Sequence, residues 1–316
     1  QVTAFEDYWR GWEGPHFKDA IWRFGMDYAT RLLNLEQGQI DLTESVGYSD
    51  VERLSANPRV EVQVSSLGRC ACFFLNTAGS GPLSDVNVRR ALQLTFPYET
   101  VTTQLFPDST YPMRGGVPEG LSDVDLSGFS PWQQDLGRAR ALLDEAGYAG
   151  QNITITLGHI PGMEIAELPA QIWQADLASI GVTLQLQPVP WGTLVEAMSQ
   201  PETAFDIGVV FIGNVSPYAG EYFKRWAHSG LAAYKWTHYS DPELDAMIER
   251  AALTTDADER QNLLVEVHDV LVDQAVMVFG FGEQQIMARR SDLGGFEVPT
   301  WRYLLATDLY DLYRVE

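Results

Sequence analysis

At 316 residues and with 45% hydrophobic side chains, the chain has enough apolar surface to fill two domain cores, and its 43 acidic against 21 basic residues leave a formal net charge of −22. Such a charge repels phosphate backbones and anionic lipid headgroups, so nucleic acid is excluded as a partner. No stretch approaches the roughly 18 consecutive apolar residues of a membrane span, and Gln1 is followed by no basic-then-apolar leader segment, which reads as a soluble chain already processed or trimmed.

Alternation from Ile21 to Phe24 predicts a strand, and Thr30 to Gln37 a helix with Leu32, Leu33 and Leu35 inward and Gly38 closing it. Ile40 to Leu42 predicts the next strand, and Asp50 to Ala56 a short helix stopped by Asn57-Pro58. Val60, Val62 and Val64 alternate with polar residues as a half-buried strand does, and Cys70 to Asn76 reads as a second strand. Cys70 and Cys72 then share one strand face; lacking a second cysteine pair, they are expected as buried strand residues, not as metal or redox ligands.

The Gly/Ser/Pro-rich stretch from Ala78 to Ser84 is where a domain crossing is expected. Helices follow at Asp85 to Leu94 and Tyr98 to Phe106, then an aperiodic, proline-rich loop from Pro107 to Pro131 suited to lining a site. Asp135 caps a helix carrying Leu136, Ala139, Leu142 and Leu143 on one face. Ile153 to Leu157, Glu164 to Ile180 and Val182 to Val189 form a β-α-β unit with parallel strands. In its helix Ile165, Leu168, Ile172, Trp173, Leu177 and Ile180 are expected to face inward. A short helix is expected after Trp191, and the unbroken apolar run from Asp206 to Ile212 suits a strand buried on both faces. Two capped helices, Ser240 to Leu253 and Glu259 to Asp273, and a strand from Val276 to Phe281 complete an α/β chain.

His159, His228, His238 and His268 are scattered, and no metalloprotease, nucleophile-elbow or phosphate-loop motif occurs. Neither an enzyme nor a cofactor or metal site is expected.

Six segments resemble, in order, the family 5 extracellular solute-binding proteins, the group of oligopeptide, dipeptide, nickel and some oligosaccharide receptors. They are Asp7-Tyr8-Trp9-Arg10-Gly11; Ala29 to Leu33 through Glu36 to Asp41; Phe74-Leu75-Asn76-Thr77; Val86 to Leu92; Ala139 to Tyr148; and Tyr239 to Asp245. The resemblance implies a two-lobe periplasmic-binding-protein-like (type II) α/β architecture. It assigns residues 1–75 to a partial first lobe, 76–284 to a nearly complete second lobe, and 285–316 to a return into the first, with an N-terminal portion lacking. It also implies a periplasmic or extracytoplasmic protein that delivers a small solute, a peptide or an oligosaccharide, to the membrane permease of an ABC importer.

By the same resemblance Trp191 aligns with a tryptophan lining the ligand cavity of peptide-binding relatives. Asn214, Ser216 and Tyr218 follow the buried strand, where loops meet ligands, and Asn76 is a further candidate. Trp226, Tyr234 and Trp236 offer aromatic faces for stacking a sugar ring, against the alternative of a packed aromatic cluster. Peptide-binding relatives place an acidic residue in the Asn214 loop, but Gly213-Asn214-Val215-Ser216 carries none, so a neutral polar solute is expected. The rival expectation is an interaction or scaffold module without a working cleft, self-associating through its exposed partial lobe.

Overall fold

Periodicity and caps place most elements within a few residues of where they stand in the computed structural model. It describes residues 1–316 except 45, 80, 108, 122, 214–215, 232–234, 297–308 and 316, and the backbone alone of Tyr48 and Leu67. In chain order the main elements are α1 (Tyr28–Glu36), β1 (Leu42–Thr43), α2 (Val51–Ser55), β2 (Val60–Leu75), α3 (Val86–Thr95), β3 (Thr110–Tyr111), α4 (Leu136–Glu145), β4 (Ile153–His159), α5 (Glu164–Ser179), β5 (Val182–Pro188), α6 (Trp191–Ala197), β6 (Ile207–Gly213), α7 (Ala219–Trp226), α8 (Pro242–Leu253), α9 (Ala257–Asp273) and β7 (Met277–Arg290), beside two short antiparallel pairs, Val2–Thr3 with Asp19–Ala20 and Leu293–Gly294 with Tyr313–Arg314. Caps fall where the sequence puts them: Asp135 accepts from Arg138 N–H, Asp241 from Glu243 and Leu244, and Asp256 from Glu259.

Several expectations are corrected. Ile21 to Phe24 forms no strand; Ile21 and Phe24 stand 62% and 88% exposed, because among the described residues no strand pairs with them and alternation alone satisfies no backbone hydrogen bond. Leu33 is exposed, Leu32 and Leu35 being the two residues that α1 buries. The strands expected at Val60 and Cys70 are one continuous β2, whose pairing carries on past Gly68 although that residue has φ of +58°. The helix from Tyr98 gives way to a π-helical turn over Val101–Leu105, and in α5 Leu168 is exposed while Ala166, Pro169 and Ala170 are buried beside Trp173 and Leu177.

The chain divides into two units, residues 1–67 with 284–316 and residues 68–283. The passages lie inside β2 and β7; the segment 78–84 leads into a tight turn at Pro82–Ser84 ahead of α3. In the first unit, α1 packs Leu32 and Leu35 with Val46, Leu54, Val60, Ile286 and Ala288, and β1 pairs antiparallel with the far end of β7.

In the second unit the strands lie in the order β7-β2-β6-β4-β5. β2 is antiparallel to β6, while β4 runs parallel to both β6 and β5. Strand alternation makes β2 serve two cores. Ala71, Phe73 and Leu75 pack with α3, α4 and α5; Cys70, Cys72 and Phe74 pack with α7, α8 and α9. The cysteines are buried free thiols with their sulfurs 3.4 Å apart, and burial pushes the Cys72 thiol up.

Trp173 is fully buried, packs edge-on against Phe73 and Phe96, and donates its indole N–H to Thr95 Oγ1 at 2.7 Å. Trp173→Ala is expected to cost about 3–5 kcal/mol, read as a lower denaturant midpoint at unchanged slope.

His268 on α9 is buried, with Nδ1 3.1 Å from Asp269 and its ring against Phe129 and the open face of Gly115, whose backbone has φ of +97°. Burial outweighs Asp269 and holds its pKa below the ordinary histidine value. The unfolded chain therefore takes up a proton that the folded one resists, so this stability is complete above the ordinary value and is lost as pH falls through it. Denaturation from about pH 7.5 to about pH 5.5 should show a smaller loss of stability in His268→Gln than in the parent.

Candidate functional site

In the second unit β4, β5 and β6 run parallel, so their carboxyl ends and the loops after them leave toward one end of the sheet, the end where α/β sheets meet ligands. β6 is buried on both faces, as its apolar run requires. Its antiparallel register on β2 pairs Leu75 with Ile207 and Arg69 with Gly213, which fixes what stands at each end.

Beyond Gly213, Asn214 lies outside the described residues. Ser216 Oγ accepts from Tyr218 N–H at 3.3 Å, and the Tyr218 side chain is exposed. The next residues open α7, whose first amides need acceptors. Buried Asp123, from the long segment before α4, supplies one by accepting from Ala219 N–H, with Gly220 N–H at 3.5 Å. A carboxylate at a helix N-terminus also meets the favourable end of the helix dipole. The proline-rich segment, expected to line a site, thus contacts the start of α7.

At the foot of this loop stand two residues that the sequence reading missed. Arg69 pairs with Glu283 through Nε to Oε2 and Nη2 to Oε1, the latter at 2.7 Å. Arg69 also lies over the Phe211 ring at 5.1 Å, while Glu283 faces Thr110 in the β3–β7 register. The Glu283 side chain is only 6% exposed against 26% for Arg69, so the guanidinium is the accessible member of the pair. The sequence signal was available: each is a lone charge of opposite sign adjoining an apolar strand run, Cys70 to Leu75 and Val276 to Phe281. Their partnership is not visible without the fold, because they lie on different strands far apart in the chain.

Trp191 opens α6 and is 39% exposed. Its ring lies 5.8 Å from that of buried Trp236, which packs on Phe74, which in turn packs on Trp226. Gly208 permits this, since a Cβ there would stand 3.1 Å from the Trp236 ring. Trp226 and Trp236 are thus mostly packed side chains rather than open stacking faces, and Tyr234 lies outside the described residues.

Asn76 is separated from the other candidates. It follows Leu75 at the amino end of β6, about 20 Å along the strand from Arg69. There it donates to Pro201 O at 3.0 Å, and its backbone N–H donates to Asp206 O.

His228 donates from Nε2 to Glu249 at 3.2 Å and accepts at Nδ1 from Gly230 and Leu231 N–H. No group of three His, Cys, Asp or Glu able to hold a metal occurs among the described residues. A cavity of about 680 Å³ lies elsewhere, between α9 and the segment leading into α4, lined by Phe129, Trp132, Gln134 and His268.

Comparison with known proteins gives one answer at three levels. The family model described as bacterial extracellular solute-binding proteins, family 5 Middle, matches residues 1–233. The glutathione-binding protein GsiB of Pectobacterium atrosepticum is 27% identical over 94% of this chain and 58% of its own length. The probable D,D-dipeptide-binding periplasmic protein DdpA of Escherichia coli is 24% identical over 89% and 54%. The chain therefore spans a little over half the length of these relatives. Among solved structures, HbpA2 of Haemophilus parasuis superposes with a TM-score of 0.84 at 20% identity, covering 99% of this chain and 61% of that one. DppA of Helicobacter pylori, in complex with the peptide STSA, gives 0.73 at 19% over 92% and 56%.

Asp123→Ala removes the buried acceptor at α7 and is expected to cost about 1–2 kcal/mol. Hydrogen exchange at the Ala219 and Gly220 amides should accelerate in that variant while the β6 amides stay protected.

Proposed function

The chain belongs to the bacterial extracellular solute-binding proteins of family 5, and on that premise we propose that it is the extracytoplasmic receptor of an ABC importer. Its solute, in this reading, is a short peptide or a molecule built like one. The observation that carries it is the carboxyl end of the parallel strands. The start of α7, whose first amides Asp123 accepts, and the Arg69–Glu283 pair stand there together.

Two relatives carry names for glutathione and D,D-dipeptide binding, and one solved neighbour holds a peptide. The expectation of a neutral solute rested on the loop alone. Arg69 and Glu283 bring an ion pair to the same place from neighbouring strands, which supports a solute that carries charged groups of its own. The oligosaccharide reading also loses two stacking faces, because Trp226 and Trp236 are 5% and 1% exposed.

In the proposed site Asn214, Ser216 and Tyr218 offer hydrogen bonds and an aromatic edge, and Trp191 an apolar wall; Asn76 takes no part. Binding favours one conformation, which a permease then recognises, and no covalent bond is made or broken. Interaction or scaffold work would need no solute.

Thermal-shift titration separates these readings. Glutathione, dipeptides and tripeptides should stabilise the protein by about 2.7 kcal/mol at a hundred times their dissociation constants, with Tyr218→Ala weakening them. Stabilisation by oligosaccharides alone would replace the solute class. Silence toward every solute would favour the scaffold.

A further inference from the structure

Two stretches of the segment between β3 and α4 close on each other over one histidine. Trp132 donates its backbone N–H to Met113 O and its indole N–H to Gly115 O, both at 3.1 Å, and Arg114 Nη1 donates to Phe129 O at 3.0 Å. Beneath this clasp lies the buried ring of His268: Phe129 meets it edge-on at 4.7 Å, and a Cβ on Gly115 would stand 1.9 Å from Nε2. Nδ1, 3.1 Å from the Asp269 carboxylate, carries the proton of the neutral ring. Nε2 is buried and has no hydrogen-bond partner among the described residues.

We infer that His268 is a proton-sensitive latch: neutral, it lets the clasp close over it, and protonated, it opens the clasp and loosens the amino end of α7. Protonation would add an N–H at Nε2 where the clasp offers no acceptor, and a buried cation short of a hydrogen bond is costly until water reaches it. The charged groups around the ring do little to offset that cost. Asp269, on the same helix, has a side chain 58% exposed, so water screens it. Asp135 lines the same cavity, but its Oδ1 accepts from Arg138 N–H, and Arg114 brings a like charge to the clasp. The lowered pKa of His268 agrees with this geometry.

Transmission to α7 runs through Asp123, which the chain carries between the two halves of the clasp and which accepts from Ala219 N–H. α7 opens directly after Ser216 and Tyr218, so, on the solute reading above, a solute held there is bound less tightly as pH falls.

Amide hydrogen exchange between about pH 7.5 and about pH 5.5, corrected for the intrinsic rate, tests the latch without any solute. A proton taken up by the open form alone multiplies the open population by up to about tenfold over that interval, for an ordinary histidine pKa of about 6.5 in the open form. Protection of the Ala219 and Gly220 amides should fall by up to that factor in the parent while the β6 amides hold theirs. His268→Gln, neutral throughout, should keep the α7 protection level. Gly115→Ala, whose methyl group would press on Nε2, should show the low protection already at about pH 7.5.

Protection at Ala219 and Gly220 that ignores pH in the parent would overturn the latch. So would an equal loss at the β6 amides, which would mark global unfolding, or an undiminished fall in His268→Gln, which would assign the titration to another group. Should His268→Gln not fold, the parent's α7 and β6 profiles decide. Glutathione affinity should weaken over the same interval in the parent and not in His268→Gln. An exchange response without that weakening would strike the consequence for the solute, and no glutathione binding at either pH would count against the solute reading alone.

Discussion

The antiparallel register of β2 on β6 is the constraint on which the rest of the second unit depends. Seven consecutive pairs, from Arg69–Gly213 to Leu75–Ile207, set which side chains reach which face and which end of the sheet. A slip of one residue would turn Phe73 and Phe74 into each other's cores, and with them every contact made by Trp173, Trp226 and Trp236. Burial on both faces makes such a slip too costly to occur. The same register brings Arg69 to the loop end of β6 and leaves Asn76 at the other.

Charge is used sparingly against this apolar frame. The interior of the second unit is built from two hydrophobic clusters, one on each face of the sheet. The acidic groups buried near the candidate site each have a defined partner: Glu283 has a guanidinium, and Asp123 has the amides of a helix N-terminus. Both arrangements answer the cost of removing a carboxylate from water, and both lie beside the loop that follows β6. The remaining acidic surplus stands largely on the surface, where it bears on solubility and on which solutes can approach.

Loop and aromatic residues divide into two kinds of role. Trp226 and Trp236 fill space between the sheet and its helices, as a packed cluster does. Trp191 and Tyr218 close no core completely and keep open faces. This distinction, rather than aromatic content as such, separates packing from open surface around β6.

The local elements of this protein were legible from its residues alone. Capping aspartates at 135, 241 and 256, apolar spacing on the helices, and the β-α-β pattern from Ile153 to Pro188 each depend on interactions within a few residues or on one simple packing rule. The same local rules failed where pairing decides. Ile21 to Phe24 alternates but finds no pairing strand among the described residues, and the break expected between Val64 and Cys70 is bridged because β2 runs on through it. The candidate site divided along the same line. Ser216 and Tyr218 could be named because position after a buried strand is a chain-order property. Arg69 and Glu283 could not, because hydrogen-bonded registers among separate strands, and not any spacing along the chain, bring one guanidinium and one carboxylate within 2.7 Å.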